Sequence, residues 1–171
     1  MKKKSDVMAG IVDDIRRIYQ VLTEQSQRVE YETSLTASQL WAVKILEESS
    51  PLKASDLARR MYLHPATMVG LLDRLETKSL ITRTRSDKDR RVVHIELTEQ
   101  GQEVVKKSPE VVQTLLVRGL EKNTLEKLNA VSAGLEEIIR ILGVQELSPL
   151  PIMSSYFAIP KRRKKTPVQP Q

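Results

Sequence analysis

Apolar residues recur at helical spacing over the N-terminal part of the chain. The spacing predicts an amphipathic helix over residues 5–29, with charged side chains on its other face. The pattern breaks at residues 30–35, where we expect this helix to end. Its apolar positions, separated by three or four residues, are Val7, Ile11, Ile15, Ile18 and Leu22.

Three further helices are predicted between residues 36 and 79. Thr36 has the side chain of an N-cap and precedes the helical pattern "ASQLWAVKILEES". Two short helices follow, one over residues 54–62 with Ser55 as its cap and one that starts at Pro65. Two short helices joined by a tight turn are typical of a helix-turn-helix motif. The apolar positions of the second short helix are Met68, Leu71, Leu72 and Leu75.

The pattern becomes alternating after Leu80. "LITRTR" at 80–85 and "RVVHIEL" at 91–97 predict two antiparallel strands joined by the polar turn "SDKD". Thr98 is expected to cap another helix, which Ser108-Pro109 should kink or restart.

The C-terminal part is predicted to hold one more helix and then a tail. A regular apolar stripe over residues 123–142 requires a partner helix, from this chain or from a second copy. Residues 143–171 contain five of the eight prolines and are predicted to form a tail. The order of these helices and strands along the chain predicts a mainly α-helical fold, a winged helix-turn-helix with a two-stranded wing.

Composition excludes several kinds of chemistry. The chain has no cysteine, which rules out disulfides, thiolate nucleophiles and thiol redox sensing. It has two histidines, His64 and His94, and no phosphate loop or nucleophile–base pair, so we expect no metal, no cofactor and no enzyme activity. No apolar run approaches the roughly 20 residues of a membrane span, and aspartates follow the basic N-terminus closely. A cytoplasmic protein is expected.

Positive charge is concentrated in a few segments. The net charge is +6, of which "KRRKK" at 161–165 supplies five charges and "KKK" at 2–4 supplies three. Between these ends, residues 83–91 carry five basic residues against two aspartates. Clustering of this kind favours a polyanionic partner such as nucleic acid.

These segments resemble the MarR-type transcriptional regulators. "LTASQLWAVKIL" at 35–46 is similar to the family's second helix, and residues 52–83 are similar to its two DNA-binding helices. "SDKDRRVVHIELTEQG" at 86–101 matches the wing signature, in which Asp-x-Arg precedes a strand and Leu-Thr-x-x-Gly. The residues of that signature here are Asp89, Arg91, Leu97, Thr98 and Gly101.

The resemblance implies a sequence-specific DNA-binding transcriptional regulator. A DNA-binding lobe would span residues 36–97, helices 5–29 and 98–142 would form a homodimer, and residues 143–171 would be a basic tail. Two recognition helices about one DNA turn apart would read a pseudo-palindromic operator in double-stranded DNA. The implied mode is repression, released by a small aromatic or phenolic effector bound between the dimer helices and the lobe.

Individual roles follow from the same resemblance. Arg91 matches the wing arginine that enters the minor groove, and Asp89 matches the aspartate that orients the wing. For the effector we expect Arg16, Tyr19, Trp41 and Tyr62, although core packing of the aromatic residues and pairing of Arg16 with Asp13 or Asp14 are favoured. The expected DNA contacts are Lys53, Ser55, His64, Ala66, Thr67, Met68, Arg74, Lys78, Arg85, Lys88, Arg90 and Arg91.

Two positions depart from the family pattern. Ser79 stands where a glycine is common, which should leave the backbone more strained at the end of the recognition helix. Gly70 stands where a longer polar or basic side chain is frequent, which shifts the expected specificity toward readout of groove shape.

Other interpretations remain open. The chain can be a winged-helix protein-interaction module without a DNA site. The basic wing argues against this module, and a gel shift with mixed promoter DNA distinguishes it from a DNA-binding regulator.

Two segments have simpler interpretations. The "SDKDRR" turn lacks the glycine and terminal glutamate of a calcium loop. "KRRKK" is by default a solvated segment that adds non-specific DNA affinity, and we hypothesise that "PLPIMSSYFAIP" folds back over the dimer or crosses to the partner.

Overall fold

The computed structural model describes residues 3–86, 89 and 92–149. Within them the chain forms seven α-helices and a three-stranded antiparallel sheet. The predicted contacts Lys88, Arg90 and Arg91, and the tail from residue 150 onward, lie outside the described residues. The elements are α1 (Lys4–Thr33), α2 (Ala37–Ser49), β1 (Leu52–Lys53), α3 (Ala54–Arg60), α4 (Pro65–Thr77), β2 (Ile81–Arg85), β3 (Val93–Leu97), α5 (Glu99–Lys107), α6 (Val112–Glu121) and α7 (Leu125–Leu142).

Helix α1 is longer than the sequence pattern predicted. It continues through residues 30–33, so the predicted break is wrong, and it ends where Ser34 takes a left-handed conformation with φ of 57°. Local bonds explain the extension. Arg28 pairs with Glu32 at 2.8 Å, and the Thr33 hydroxyl donates to the Val29 carbonyl. Helical polar residues with such i,i+4 bonds need no apolar stripe to extend a helix by one turn.

Side-chain caps set several helix starts where they were predicted. Thr36 Oγ1 accepts from the backbone N–H of Gln39 at 3.2 Å, and the Gln39 side chain accepts from the Thr36 N–H, which completes a capping box. Thr98 Oγ1 accepts from Gly101 N–H at 3.0 Å at the start of α5. The cap predicted at Ser55 is wrong, because α3 begins at Ala54 and Lys53 occupies its N-cap position.

The two predicted strands exist, and a third joins them. β3 lies in the centre, with β2 on one side and the short β1 on the other, all antiparallel. Leu52 of β1 is opposite Ile95 of β3, and Arg83 of β2 is opposite the same residue from the other side. The two-residue strand β1 was not predicted from the sequence.

An aliphatic core holds the helix-turn-helix against the sheet. Its residues come from α2, α3, α4 and the strands, and they include Leu40, Leu57, Leu75 and Ile95, each fully buried. Burial of a leucine or isoleucine side chain stabilises the folded state by about 1.5–3 kcal/mol. The core therefore fixes α4 on the sheet as one lobe.

The C-terminal helices leave their apolar residues at the surface. Ser108-Pro109 interrupts the helix, which restarts as α6 at Val112. None of the residues of α7 is buried, and Val131 and Leu135 are 50% and 54% exposed. No helix in the described part of the chain is long and apolar enough to cross a membrane.

Candidate nucleic-acid interface

Helix α4 begins with a proline and a histidine cap. Pro65 takes the first-turn position, where its missing N–H leaves no bond unmade, and His64 Nδ1 accepts from the Ala66 N–H at 3.3 Å. His64 is exposed and has a structural role as the N-cap. The Thr67 and Met68 N–H groups donate to the His64 carbonyl at 3.0 and 3.1 Å, and the first helix residues Pro65 and Ala66 are exposed. An exposed helix start is expected of a helix whose first turns approach DNA.

The first turns of α4 have one buried and one exposed face. Met68 is 2% exposed and belongs to the core with Leu71 and Leu72, so its predicted DNA contact is wrong. The spacing that placed Met68 with those leucines already assigned it to the buried face. Ala66 is exposed, and its DNA contact stays a prediction, whereas Thr67 is half-buried and lines a cavity under the helix.

Two of the predicted DNA contacts lie at the far end of α4. Arg74 is exposed on its last turns. Lys78 is also exposed, but its Nζ donates to the Ser34 carbonyl at 2.9 Å and so ties the end of α4 to the end of α1. Ser79 follows with φ of 56°, the left-handed conformation that a glycine would adopt without strain.

The strongest ion pair of the lobe joins β2 to α4. Arg83 is partly buried, and its guanidinium lies 2.6 Å from Asp73 and 3.2 Å from Glu76. Two carboxylates therefore neutralise one of the five basic residues that made the 83–91 segment positive. Arg83 holds the wing against the recognition helix, and the charge available to DNA lies closer to the tip.

The described part of the wing places basic side chains along one sheet. Arg85 is exposed at the tip end of β2, opposite Val93. Lys53 is exposed at the edge strand, opposite the half-buried His94, and Ser55 is exposed in the first turn of α3. At the tip, the Asp89 N–H donates to Ser86 Oγ at 3.4 Å, and the Asp89 carbonyl accepts from Val92 N–H at 2.9 Å.

A large apolar cavity lies beneath the start of the recognition helix. Its volume is about 970 Å³, and its walls come from α2, the α3–α4 turn, α6, α7 and the segment after α7. His64 and Thr67 of the recognition helix region line it, together with Leu116 and Leu120 of α6. A second cavity of about 510 Å³ is lined mainly by charged residues and lies beside the first.

The cavities separate the four predicted effector residues into two groups. Trp41 and Tyr62 line both cavities. Arg16 and Tyr19 line neither; both are exposed on α1, and Arg16 pairs with Asp13 at 2.8 Å, as the favoured interpretation expected. The effector role predicted for Arg16 and Tyr19 gains no support from these cavities and stays a prediction.

Two residues of this region, one exposed and one buried, were not predicted from the sequence. Val69 is 56% exposed on the outer face of α4, although it lies between apolar neighbours in sequence. Gln113 of α6 is 5% exposed, lines the larger cavity, and has no hydrogen-bond partner for either amide atom among the described residues. Helical spacing from Met68 and Leu72 could have placed Val69 outside the core.

Known proteins share this arrangement. The family model described as the MarR family matches residues 35–93. The HTH-type transcriptional repressor MdtR of Bacillus subtilis strain 168 is 33% identical over 101 residues, which span 59% of this chain and 65% of that protein. The organic hydroperoxide resistance transcriptional regulator of the same strain is 31% identical over 121 residues, 71% of this chain and 81% of that protein.

A solved structure extends the likeness to the fold. The transcriptional regulator BldR from Sulfolobus solfataricus has a TM-score of 0.52 at 28% identity, and the match covers 81% of this chain and 99% of that one. The two chains therefore share their fold over most of their length. The chain belongs to the MarR family of winged helix-turn-helix transcriptional regulators.

Proposed function

We propose that this protein is a cytoplasmic homodimeric repressor that binds a pseudo-palindromic operator and leaves it when a small neutral phenol fills the cavity under α4. The observation that carries the proposal is the position of that cavity, whose wall includes the turn that begins the recognition helix. Helix α4 would enter the major groove while the wing reaches the adjacent phosphates and minor groove.

The cavity supports a direct coupling between ligand and DNA contact. Tyr62 and Leu63 form the α3–α4 turn, where Tyr62 holds a left-handed φ of 52° and Leu63 N–H donates to the Ala58 carbonyl. Both line the cavity, as does the cap residue His64. A ligand that presses on this turn displaces the first turn of α4, and a displacement of an ångström is enough to misalign contacts in the groove.

The same cavity supports a neutral ligand over an acid. Its walls are mainly apolar, and among the described residues no lysine or arginine lines it, whereas Glu121 does. A carboxylate buried there would lose its hydration without gaining a cation. A phenol keeps its aromatic ring against Trp41 and needs only one hydrogen-bond partner for its hydroxyl.

Binding to DNA from the region flanking the protein's own gene tests the regulatory function. We expect the full chain to bind this DNA tightly, and to weaken by about a thousandfold or more between roughly 50 and 200 mM salt if six or more phosphates are contacted. Arg91→Ala should lower the affinity about ten- to a hundredfold, the effect of losing one specific groove contact. Fluorescence polarisation measures both.

The control variant makes the same change of charge outside the DNA-binding lobe. Arg17→Ala removes an arginine that is exposed on α1 and paired with Asp14, and it should bind DNA like the unaltered chain. Weak, equal binding of all three proteins to any duplex would contradict the proposal and favour the protein-interaction module.

Ligand binding is measurable through Trp41, because the chain has one tryptophan and it lines the cavity. We expect 4-tert-butylphenol to change the Trp41 emission and to release the operator, and 4-tert-butylbenzoate to bind at least about tenfold more weakly because its carboxylate must be desolvated. Arg16→Ala should leave the phenol affinity unchanged. Tighter binding of the benzoate, or loss of phenol binding in Arg16→Ala, would show that the effector lies on α1 instead.

A further inference from the structure

The outer face of the recognition helix begins without a hydrogen-bonding side chain. Pro65, Ala66, Val69 and Gly70 are the exposed residues of its first two turns, and none of their side chains can donate or accept. Thr67 has a hydroxyl, but it is half-buried and lines the cavity. The side chains that recognise guanine or adenine in the major groove are Arg, Lys, Asn and Gln, and these two turns have none of them.

Val69 is the largest apolar group on this face. It is 56% exposed, whereas the neighbouring Met68 and Leu72 are each 2% exposed. An exposed isopropyl group gains free energy when another apolar group covers it. On the floor of the major groove the 5-methyl group of thymine is the one apolar group that a base edge presents.

We propose that Val69 reads the 5-methyl group of a thymine at one fixed position in each operator half-site, and that this contact is the direct base recognition made by the first two turns of α4. The inference rests on the proposed function, because it requires α4 to lie in the major groove. It assigns a specificity-determining role to a residue that the resemblance did not identify.

The residues around Val69 permit a close approach to the bases. Ala66 precedes it by three residues and has only a methyl group, and a Cβ added at Gly70 would meet nothing within 4 Å. Short side chains on both sides let the helix lie deep enough for a valine, which reaches only one carbon beyond its Cβ, to touch a base edge.

The charges of α4 also favour an orientation in which Val69 faces the base edges. Asp73 lies one turn after Val69, and its carboxylate is paired with Arg83 at 2.6 Å. The pairing offsets a negative charge that would otherwise repel the phosphates. Arg74, exposed on the following turn, remains available to a phosphate at the edge of the groove.

The experiment removes the methyl group without altering base pairing. Duplexes are enriched from a random pool by the full-length chain, and each thymine of the enriched sequence is replaced in turn by deoxyuridine. At one position of each half-site we expect the affinity to fall about fourfold, and about fifteenfold when both half-sites are changed, because each contact buries one methyl group. Uracil at the other thymines should have no effect.

Two variants assign the contact to Val69. Val69→Ala should bind the thymine and deoxyuridine duplexes within about twofold of each other, because the group that meets the methyl is gone. Thr77→Ala changes an exposed residue on the last turn of the same helix and should keep the full preference for thymine. Since Val69 is largely exposed, its replacement should leave the fold intact, which circular dichroism checks.

The experiment distinguishes failure of this inference from failure of the proposed function. If no sequence is enriched from the pool, sequence-specific binding itself is refuted and the inference falls with it. If a sequence is enriched but deoxyuridine is tolerated at every thymine, only the inference is overturned. A uracil penalty that persists in Val69→Ala would likewise overturn it, because another residue would then read the methyl group.

Discussion

We expect that replacing Val131 and Leu135 together by glutamate dissociates the proposed dimer into monomers and abolishes tight operator binding. Both residues are half exposed on α7, and Ile139 continues their stripe at the same four-residue spacing. Helix α1 presents a matching stripe, whose residues Val7, Met8, Ile11, Val12, Ile15 and Ile18 are between 44% and 58% exposed. Apolar stripes of this extent are rare on a monomer and mark an interface.

The expected size of the effect follows from symmetry. Each dimer would lose four apolar side chains from the interface and would have to bury four carboxylates instead. At about 1.5 kcal/mol or more for each apolar side chain, the dissociation constant of the dimer should rise at least a thousandfold. A monomer reaches one half-site, so operator affinity should fall by about a hundredfold or more. Analytical ultracentrifugation and fluorescence polarisation measure the two effects.

The other face of the same helix offers a matched control. Asn129 and Ala133 lie on the side of α7 that carries Glu137 and Arg140, and both are exposed. Replacing this pair by glutamate adds the same two negative side chains to the helix, and the protein should remain a dimer with unchanged operator affinity. If Val131→Glu with Leu135→Glu stays dimeric, the interface uses α1 alone or lies elsewhere, and the proposed role of α7 is wrong.

The sequence was sufficient to predict an element where residues next to each other in the chain determine it. Thr36, Pro65 and Thr98 mark helix starts because a cap or a proline acts on the backbone within one turn. The wing strands were recognisable because residues 80–85 and 91–97 alternate. Family membership followed from the same segments, since the wing signature and the helix pair lie next to each other in the chain.

The sequence was uninformative where the structure depends on distant partners. β1 is two residues long, and only its pairing with β3 makes it a strand. The extent of the basic surface was overestimated for a related reason. Arg83 counts as a free charge in sequence, but Asp73 and Glu76 reach it across the lobe from α4. The sequence also could not show which of the predicted effector residues line a cavity. Trp41 lines one and Arg16 does not, and this depends on how the helices pack.

Gly101→Ala should destabilise the protein most among its glycine-to-alanine variants in the described helices. A Cβ at Gly101 would lie 2.2 Å from the Leu80 carbonyl oxygen, and backbone cannot yield as a flexible side chain does. That carbonyl also accepts from the Thr98 N–H at 3.1 Å, so moving it breaks a bond at the start of α5. Overpacking of this kind costs about 1–3 kcal/mol and occasionally more, which exceeds the roughly 0.5–1 kcal/mol that alanine gains in a helix.

Gly70→Ala is the matched control, because its Cβ would enter open space within the same lobe. We expect Gly101→Ala to lower the free energy of unfolding by about 2 kcal/mol and Gly70→Ala to raise it by up to about 1 kcal/mol. Urea denaturation at one fixed protein concentration measures both, since a dimer's stability depends on concentration. Equal stabilities would mean that the α4–β2 turn relaxes away from α5, and that Gly101 in the wing signature is not required for close packing. A large loss in Gly101→Ala alone would assign that glycine to the contact that joins the end of the recognition helix to α5.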